Sequence, residues 1–475
     1  MFEGHSLLSP MEFSRNRTLL LSILGAGLAL RIATVVLFTP PLFSDDIDYV
    51  ALGMSLAHGG GYDLEGHVTA YRPPGYPFLL AASFSLFGDS LVPVRVAQSL
   101  ADVLSCFLVF ALGKKLFSER VGLIGAGVFA LFPIQVLYVS ILMTETVFTT
   151  LLLLYLFIGA RGAGSWKMGV LEGIVLGAGT LVRPTMLLIP AAMCVVRWRS
   201  GWTRRENLRD LALAGAAAFI IISPWLARNY GAFGRISLTS NTGVNFWMGS
   251  HSGATGSYSF PAGNPLASET DEFRRSDLGT RLGLGFIRDH PLDYAVLLAK
   301  KWAHFFSVDY WLLQSMHYRP DFHSAPNAAT VFSRFPLRDV LLLHIPFAAV
   351  LLMAVFAFLC RAREDRLSVE FLLAPCAYWI LVHLAFYAAA RYRFPVVPLF
   401  MIGGAYGADM ILRTSYVASR ARIAAISLLA LLFAAGWTAE RIMIEKGARG
   451  SAAQSTLRAL TPKSTLSFTQ LKNSL

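Results

Sequence analysis

Two adjacent carboxylates, Asp45 and Asp46, directly follow the first long apolar run of the sequence. At a membrane surface such a pair can supply a general base together with a metal or hydrogen-bond anchor, as a group-transfer enzyme requires. The same position also suits a helix start, with Ser44 or Asp45 as the N-cap and acidic residues in the first turn. The residues alone leave both interpretations open, and the two carboxylates are therefore candidate catalytic groups.

Arg72 stands in the segment YRPPGYP at positions 71–77. The paired prolines stiffen the backbone and hold the guanidinium close to the lipid headgroups, where it can bind a phosphate through two parallel hydrogen bonds. The alternative is an ordinary arginine whose stem lies on apolar surface while its head reaches water. Arg72 is therefore a candidate phosphate ligand.

Four further charged residues are predicted to lie at the same membrane surface as Asp45. Glu145 stands where an apolar run starts, so it is either a functional carboxylate or a first-turn acid favoured by the helix dipole. Arg183 precedes a proline, while Arg391 and Arg393 lie between two apolar runs. The positive-inside rule disfavours arginines on the outer side, so their position there indicates a function.

The composition predicts a membrane protein. Hydrophobic residues make up 55% and charged residues 15% of the 475 residues, whereas an ordinary soluble domain has about 25% charged residues. A soluble fold could not hide so much apolar surface, so the sequence predicts an all-α polytopic membrane protein. The excess of 41 Lys and Arg over 29 Asp and Glu follows the positive-inside bias of the loops, and no nucleic-acid partner is expected. The four cysteines all lie in apolar runs, which predicts packing roles without disulfides.

About eleven membrane-crossing helices follow from hydropathy and loop charge. The run 168–198 is too long for one upright helix, and Arg183-Pro184 divides it into two short helices that return the basic cluster at 197–209 to the cytoplasm. The run 76–87 is short for a crossing and is placed at the interface or half-inserted. The predicted crossings are 18–38, 91–112, 121–140, 142–158, the two halves of 168–198, 208–229, 340–360, 369–390, 394–412 and 423–439.

This layout places the N-terminus in the cytoplasm and two large loops, 40–75 and 230–338, on the opposite side. An amphipathic helix at 291–308 is predicted to lie in the interface. Residues 1–412 would form the catalytic membrane domain, and residues 413–475 would hold the last crossing and the tail. Acids and arginines then meet on one outer face beside the bilayer. This arrangement suits sugar transfer from a lipid phosphate, because a carboxylate can deprotonate the acceptor while arginines stabilise the departing phosphate.

The order of motifs resembles that of the GT-C membrane glycosyltransferases, in particular the bacterial relatives of protein O-mannosyltransferases and of the lipid A aminoarabinose transferase. The similarity runs from about Arg31 to Pro398. The motifs that carry it are SDD at 44–46 with Tyr49, YRPPGYP at 71–77, TE at 144–145, LVRP at 181–184, PWLARNY at 224–230 and RYRFPVVP at 391–398.

The resemblance implies a GT-C fold, a polyprenyl-phosphate sugar donor, and a location in the bacterial inner membrane with a periplasmic active site. It implies Asp45 as the principal catalytic carboxylate, with Asp46 beside it and Glu145 as a second acid. The residues expected to contact the donor phosphate are Arg72, Arg183, Arg391 and Arg393. The residues expected to contact other parts of the substrates are Tyr49, Tyr71, Tyr76, Arg228 and Tyr392. The sugar, the acceptor (glycan, lipid or protein) and a requirement for a divalent cation stay open.

A flippase for lipid-linked sugars or a secondary transporter is the alternative from another functional class. Transporters are expected to show internal repeats and ionisable residues near the middle of the membrane. In this sequence the ionisable residues are predicted to gather at the outer surface. A non-enzymatic scaffold would leave the clustering of acids and arginines unexplained, so a glycosyltransferase is the favoured prediction.

Overall fold

A computed structural model describes residues 10–160, 165–261, 263–317 and 335–413. Regular structure in these ranges is almost entirely helical, which confirms the predicted class. The helices are α1 (Pro10–Leu37), α2 (Asp45–Ala57), α3 (Gly75–Phe87), α4 (Val92–Leu116), α5 (Glu119–Leu131), α6 (Pro133–Tyr138), α7 (Glu145–Gly159), α8 (Trp166–Val182), α9 (Ile189–Arg199), α10 (Arg204–Phe233), α11 (Thr242–Met248), α12 (Glu272–Asp289), α13 (Pro291–Phe306), α14 (Tyr310–Met316), α15 (Leu337–Cys360), α16 (Arg366–Ala385) and α17 (Val397–Leu412). Two 3₁₀ segments, Pro184–Leu188 and Ala390–Val396, directly precede α9 and α17.

Six helices in the described ranges are long and apolar enough to cross a bilayer. They are Ser14–Leu37 within α1, then α4, α10, α15, α16, and the continuous stretch Ala390–Leu412 that ends with α17. These six correspond to predicted crossings. The apolar helices α3 and α7 are shorter. The total of eleven stays a prediction, and the crossing predicted at 423–439 lies outside the described residues.

The run 121–140, predicted as one crossing helix, is divided in the structure. Helix α5 ends at Leu131, Phe132 is extended with φ −70° and ψ 117°, and α6 begins at Pro133. Proline has no backbone N–H to continue the helical ladder and disfavours a helical conformation in the residue before it. The single-helix prediction was therefore wrong at this point.

The predicted break at Arg183-Pro184 is confirmed. Helix α8 ends at Val182, and Arg183 is extended with φ −142° and ψ 114°. The chain then reverses direction. The evidence is a contact of 2.5 Å between Nη2 of Arg197, near the end of α9, and Oε1 of Glu172, in the first half of α8. Arg183 and Arg197 therefore lie at opposite ends of this helical hairpin.

The crossing helices differ in how much of their surface the protein covers. Only 22% of the apolar window of α1 and 28% of that of α10 is buried, against 78% for the stretch that ends with α17. Exposed apolar side chains such as Leu21 on α1 and Ile220 on α10 are typical of lipid-facing surface. The last described crossing is therefore central, and α1 and α10 lie at the periphery.

The two long loops predicted at 40–75 and 230–338 contain regular structure that positions the site. A hairpin pairs Asp63–Leu64 with His67–Val68, which the all-helical prediction did not include. Its two turn residues, Glu65 and Gly66, have φ values of 56° and 79°, as a tight hairpin turn requires. The amphipathic helix predicted at 291–308 is present as α13. Its Lys301 Nζ donates a hydrogen bond to the carbonyl of Leu384 at 2.9 Å, so α13 lies against the last turn of α16.

Candidate active site

Asp46 anchors the start of the helix that carries the acidic motif. Its Oδ1 accepts hydrogen bonds from the backbone N–H groups of Phe43 at 3.1 Å, Ser44 at 2.7 Å and Ile47 at 3.1 Å. Burial raises the pKa of Asp46 to about 6, although the N–H groups of Ser44 and Phe43 act in the opposite direction. The side chain of Ser44 makes no cap bond. Asp46 therefore has the helix-start role considered for Ser44 or Asp45.

Asp45 lies between two arginines. Its Oδ1 accepts a hydrogen bond from Nη2 of Arg72 at 2.8 Å, and its Oδ2 accepts one from Nη2 of Arg391 at 2.7 Å. Burial acts to raise the pKa of Asp45, but the positive charges of Arg72 and Arg391 outweigh it and hold this pKa well below its usual range. The side chain is 28% exposed. The carboxylate is thus ionised, held on both sides and accessible to solvent.

A second carboxylate, which the sequence reasoning did not select, orients Arg72. Asp48 Oδ2 accepts hydrogen bonds from Nε of Arg72 at 3.0 Å and from Nη2 at 2.8 Å. Asp48 lies three residues after Asp45 and so on the same face of α2, a spacing that was visible in the sequence. The guanidinium also lies over the rings of Tyr49 at 5.3 Å and Tyr71 at 4.9 Å. Asp45, Asp48, Arg72 and Arg391 form a charged group, the acid cluster, and the two predicted tyrosines contact it through Arg72.

The YRPPGYP segment fixes Arg72 by its close approach to the end of α8. A Cβ on Gly75 would lie 2.8 Å from the backbone carbonyl carbon of Leu181, which is closer than a side chain tolerates. Helix α8 ends one residue further on, and Arg183 follows in the extended conformation that a proline favours in the preceding residue. Glycine at position 75 therefore brings the two arginine-bearing segments together.

Glu145 and Arg183 form a second ion pair in the same region. Glu145 begins α7, its side chain is 1% exposed, and its Oε1 lies 2.5 Å from Nη2 of Arg183. The Nε of Arg183 donates a hydrogen bond to Thr144 Oγ1 at 2.8 Å. The charges of Asp45 and Glu145 both act on Arg391. The two ion-pair groups therefore share one electrostatic environment, as the sequence predicted.

Aromatic rings surround the guanidinium of Arg391. It lies 4.7 Å from the ring centroid of Trp311 and 5.1 Å from that of Tyr392. The Tyr392 hydroxyl donates a hydrogen bond to the Tyr387 hydroxyl at 2.6 Å. Sequence reasoning selected Tyr392 and missed Trp311 and Tyr387, because Trp311 is distant in the sequence and lies in no recognised motif. The Nε of Arg391 is buried and has no acceptor within the described residues.

Arg393, predicted to contact donor phosphate, is directed away from Asp45. It is 2% exposed, and its Nη1 donates to the backbone carbonyls of Phe305, at 3.0 Å, and Ser307. Its guanidinium lies 3.9 Å from the centroid of the Phe347 ring. In this structure Arg393 therefore secures the end of α13 rather than the acid cluster.

Two predicted substrate contacts also point into the protein. Tyr76 is fully buried, and its hydroxyl donates to Gln98 Oε1 at 2.6 Å. Arg228 donates to the backbone carbonyls of Thr69 at 2.7 Å and Tyr62 at 3.0 Å. Both side chains bond to other parts of the protein and hold the walls of the site.

The acid cluster was also considered as a cation site. Within the described ranges, no group of three or more His, Cys, Asp or Glu side chains is arranged to hold a metal ion. The carboxylates of Asp45 and Asp48 are bound by guanidinium groups. These arginines are natural ligands for an incoming anion such as a phosphate. A requirement for a divalent cation stays an open prediction.

The comparisons with known proteins agree with this architecture. Residues 71–227 match the model of the family described as dolichyl-phosphate-mannose-protein mannosyltransferase. The undecaprenyl phosphate-α-4-amino-4-deoxy-L-arabinose arabinosyl transferases of two Pseudomonas aeruginosa strains, LESB58 and UCBPP-PA14, are 27% identical over 195 residues and 28% identical over 196 residues. Each alignment covers 38% of this chain and 35% of the relative. The chain thus spans about a third of the length of the curated relatives that it matches.

Two solved structures are similar over most of the chain. ArnT from Cupriavidus metallidurans, bound to undecaprenyl phosphate, matches with a TM-score of 0.53 and 13% identity over 90% of this chain and 72% of that chain. The oligosaccharyltransferase AglB from Archaeoglobus fulgidus, in complex with an inhibitory peptide and a dolichol-phosphate, matches with a TM-score of 0.51 and 15% identity over 92% and 56%. This chain therefore has the GT-C fold of membrane glycosyltransferases, and it is a multi-pass membrane protein.

Proposed function

We propose that this protein is a membrane glycosyltransferase that moves a sugar from a polyprenyl monophosphate carrier to an acceptor hydroxyl or amine, with inversion at the anomeric carbon. The observation that carries the proposal is the solvent-accessible Asp45 carboxylate held between Arg72 and Arg391. The curated relatives act on undecaprenyl phosphate-linked aminoarabinose, and the two similar structures hold lipid phosphates. The names of these relatives and structures support a lipid-phosphate-linked sugar as the donor.

In the proposed reaction, Asp45 removes the proton from the acceptor as the acceptor oxygen or nitrogen attacks the anomeric carbon. The bond between that carbon and the phosphate oxygen breaks, and the polyprenyl phosphate leaves with the electron pair. Arg72 and Arg391 stabilise the charge that develops on the phosphate. Two positively charged neighbours make Asp45 a weak base while the site is empty. A phosphate that attracts both arginines would raise the Asp45 pKa at the moment a base is needed.

The remaining predicted residues take supporting roles in this proposal. Glu145 and Arg183 set the charge beside the donor phosphate, and Asp46 holds the start of α2. Substrate contacts are assigned to the half-buried Tyr71 and Tyr392, whereas Tyr49 is buried and supports the guanidinium of Arg72. Residues that point into the protein support the walls instead, and these are Arg393, Tyr76 and Arg228.

The test is carrier release by the purified protein with polyprenyl-phosphate-linked hexoses and pentoses. Wild-type protein should release polyprenyl phosphate in the presence of a suitable glycan, lipid or protein acceptor. A flippase for lipid-linked sugars, the rival function, would instead move the intact donor across a vesicle membrane without cleaving it. Translocation without cleavage would therefore overturn the proposal.

We further propose that the acid cluster faces the periplasm of a bacterial inner membrane and that the N-terminus is cytoplasmic. The two ends of the α8–α9 hairpin support this orientation, because the basic residues 197–209 lie at the end opposite Arg183. Single cysteines at Ser200 and Ser257, in a background without the native cysteines, should react with membrane-impermeant reagents from opposite sides. Reaction of both from the same side would contradict the orientation.

A further inference from the structure

The loop formed by residues 249–260 is fixed against the segment that carries Arg391. A Cβ on Gly249 would collide with the backbone carbonyl of Phe386, so only glycine permits this approach. The backbone N–H of Ala388 donates a hydrogen bond to the carbonyl of Gly256 at 3.0 Å. The loop is therefore positioned by backbone contacts with the same segment that positions Arg391.

This loop carries Tyr258, whose ring lies beside the aromatic residues that precede Arg391. The ring packs edge-to-face with Tyr387 at a centroid distance of 5.8 Å and with Phe260 at 5.5 Å. Tyr387 is buried and accepts a hydrogen bond from Tyr392, the residue next to Arg391. Tyr258 itself is 43% exposed. The buried ring of Tyr387 and the half-buried ring of Phe260 thus support an accessible ring.

A chain of three aromatic contacts joins Tyr258 to the guanidinium of Arg391: Tyr258 packs on Tyr387, Tyr387 accepts a hydrogen bond from Tyr392, and Arg391 lies over the ring of Tyr392. Surrounding protein raises the pKa of Tyr258, the charges of Tyr71 and Asp45 act in the same direction, and Arg72 opposes them. Arg72 and Tyr71 come from the loop after α2, whereas the loop 249–260 follows α11. Tyr258 therefore reaches the site from a different segment of the chain and lies on the side of Arg391, to which Tyr387 and Tyr392 connect it.

The other rings of the cluster are occupied by guanidinium groups. Arg72 lies over Tyr49 and Tyr71, and Arg391 lies over Trp311 and Tyr392. These four rings are buried or half-buried, whereas the side chain of Tyr258 is exposed. Tyr258 thus offers an aromatic surface to a ligand, with a hydroxyl at its edge for a hydrogen bond.

We infer that Tyr258 binds the sugar ring of the lipid-linked donor by stacking against its C–H face, an inference that rests on the proposed function. The donor phosphate is bonded directly to the sugar. A phosphate held by Arg72 and Arg391 therefore keeps the sugar ring next to these guanidiniums. An apolar, rigid surface with a polar edge suits one face of a pyranose or furanose ring. Tyr258 would thereby discriminate a loaded carrier from a spent one.

The experiment compares the affinity of purified protein for bare polyprenyl phosphate with its affinity for polyprenyl-phosphate-linked hexoses and pentoses. Wild-type protein should bind at least one loaded carrier more tightly than the bare carrier. Tyr258→Ala should weaken binding of that loaded carrier by about 5- to 10-fold and leave binding of the bare carrier unchanged. Tyr258→Phe and Tyr258→Trp should retain most of the preference. Tyr230→Ala removes an exposed tyrosine at the end of α10 and is the matched control.

Each outcome has a separate meaning for the two proposals. The inference is overturned if Tyr258→Ala binds the loaded carrier as wild type does, if it loses affinity for both carriers equally, or if wild type shows no preference. A defect confined to the Michaelis constant of the acceptor would assign Tyr258 to the acceptor and would also overturn it. The proposed function fails in a different way, when wild type binds loaded carriers through Tyr258 but cleaves none of them.

Discussion

Two arginine–carboxylate contacts of this chain share their chemistry and differ in their surroundings. In the membrane-crossing helices α1 and α4, Arg31 Nε donates to Asp102 at 2.5 Å, and both side chains are 0% exposed. The Nη1 of Arg31 also donates to the backbone carbonyls of Gly27 and Ala130 at 3.0 Å. In the acid cluster, Asp45 is 28% exposed and each of its oxygens is held by a different arginine.

The difference separates a contact that holds helices together from one that can exchange partners. Burying two charges is costly, and the further bonds of Arg31 to backbone carbonyls offset part of that cost. No ligand can reach this pair without unpacking the helices. Arg72 and Arg391 can exchange a carboxylate oxygen for a phosphate oxygen with little movement. The prediction that the ionisable residues gather at the outer surface did not include this buried pair.

The largest expected effect concerns the buried pair Arg31–Asp102. Asp102→Ala leaves the Arg31 charge buried without its partner, which should cost about 3–5 kcal/mol of stability. The measurement is thermal unfolding in detergent, together with the yield of folded protein. The double variant Arg31→Met/Asp102→Leu should recover most of the loss, because apolar residues can fill the same space. Equal stability of wild type and Asp102→Ala would show that the pair does not hold α1 to α4.

The partly exposed carboxylate of Asp45 should matter for turnover and not for stability. Asp45→Asn should lower turnover by about 100-fold or more, because the amide cannot take up the acceptor proton. Its melting temperature should stay near that of wild type, since the side chain is partly exposed. Asp46→Asn is the matched control, because its Oδ1 can still accept from the three N–H groups that start α2. An active Asp45→Asn with an inactive Asp46→Asn would exchange the two roles. Two active variants would reduce the acidic pair to a helix start.

Arg391 and Arg393, the two arginines of the RYR motif, should also differ in what their loss affects: donor binding for Arg391 and stability for Arg393. Arg391→Ala removes a guanidinium that contacts Asp45, and we expect donor affinity to fall by about 10-fold or more. Arg393→Ala removes bonds to the backbone of Phe305 and Ser307, so it should lower the melting temperature and leave the donor affinity of the remaining folded protein unchanged. Isothermal titration with polyprenyl phosphate and a melting curve on each variant distinguish them. Equal loss of affinity in both would return Arg393 to the phosphate site.

The smallest effect is a pH dependence of stability that comes from Asp46. The folded-state pKa of about 6 lies above the ordinary value of about 3.9, so the folded protein holds a proton that the unfolded chain releases. Stability from this group is full at low pH and declines as pH rises between about 4 and 6, by at most about 3 kcal/mol. The low pKa of Asp45 acts only below this window. Melting temperature should therefore fall across it in wild type and stay level in Asp46→Asn; equal slopes would contradict the assignment.

Sequence patterns predicted which charged residues come together better than they predicted the direction of individual side chains. Asp45, Arg72 and Arg391 meet as expected, because each lies beside a crossing or in a proline-stiffened segment. Arg393 lies only two residues from Arg391, yet the 3₁₀ geometry of this segment turns it towards the end of α13. No hydropathy or charge rule contains that information, since it depends on carbonyl groups some 86 residues away in the chain.

Other misses had a signal that the sequence already contained. Phe132-Pro133 predicts a helix boundary, but the continuous apolar run around it favoured one long crossing. Asp48 has the three-residue spacing from Asp45 that places both on one helix face. Trp311 had no such signal, because tertiary packing alone brings it to Arg391. Tyr387 is close in the chain but lies before the RYR motif, and its contact with Tyr392 depends on the fold of this segment.

The contact between Asp45 and its two arginines also bears on how quickly the site can empty. Asp45 is an internal competitor for the phosphate ligands, permanently present at a high effective concentration. In the proposed reaction a carrier phosphate displaces Asp45 from the arginines, which weakens the binding of the donor and of the spent carrier alike. Asp45 leaves the transfer step carrying the acceptor proton, and once it has released that proton the carboxylate can return to the arginines as the carrier leaves. If the protein has this function, its own side chain assists product departure and keeps the released lipid phosphate from trapping the site.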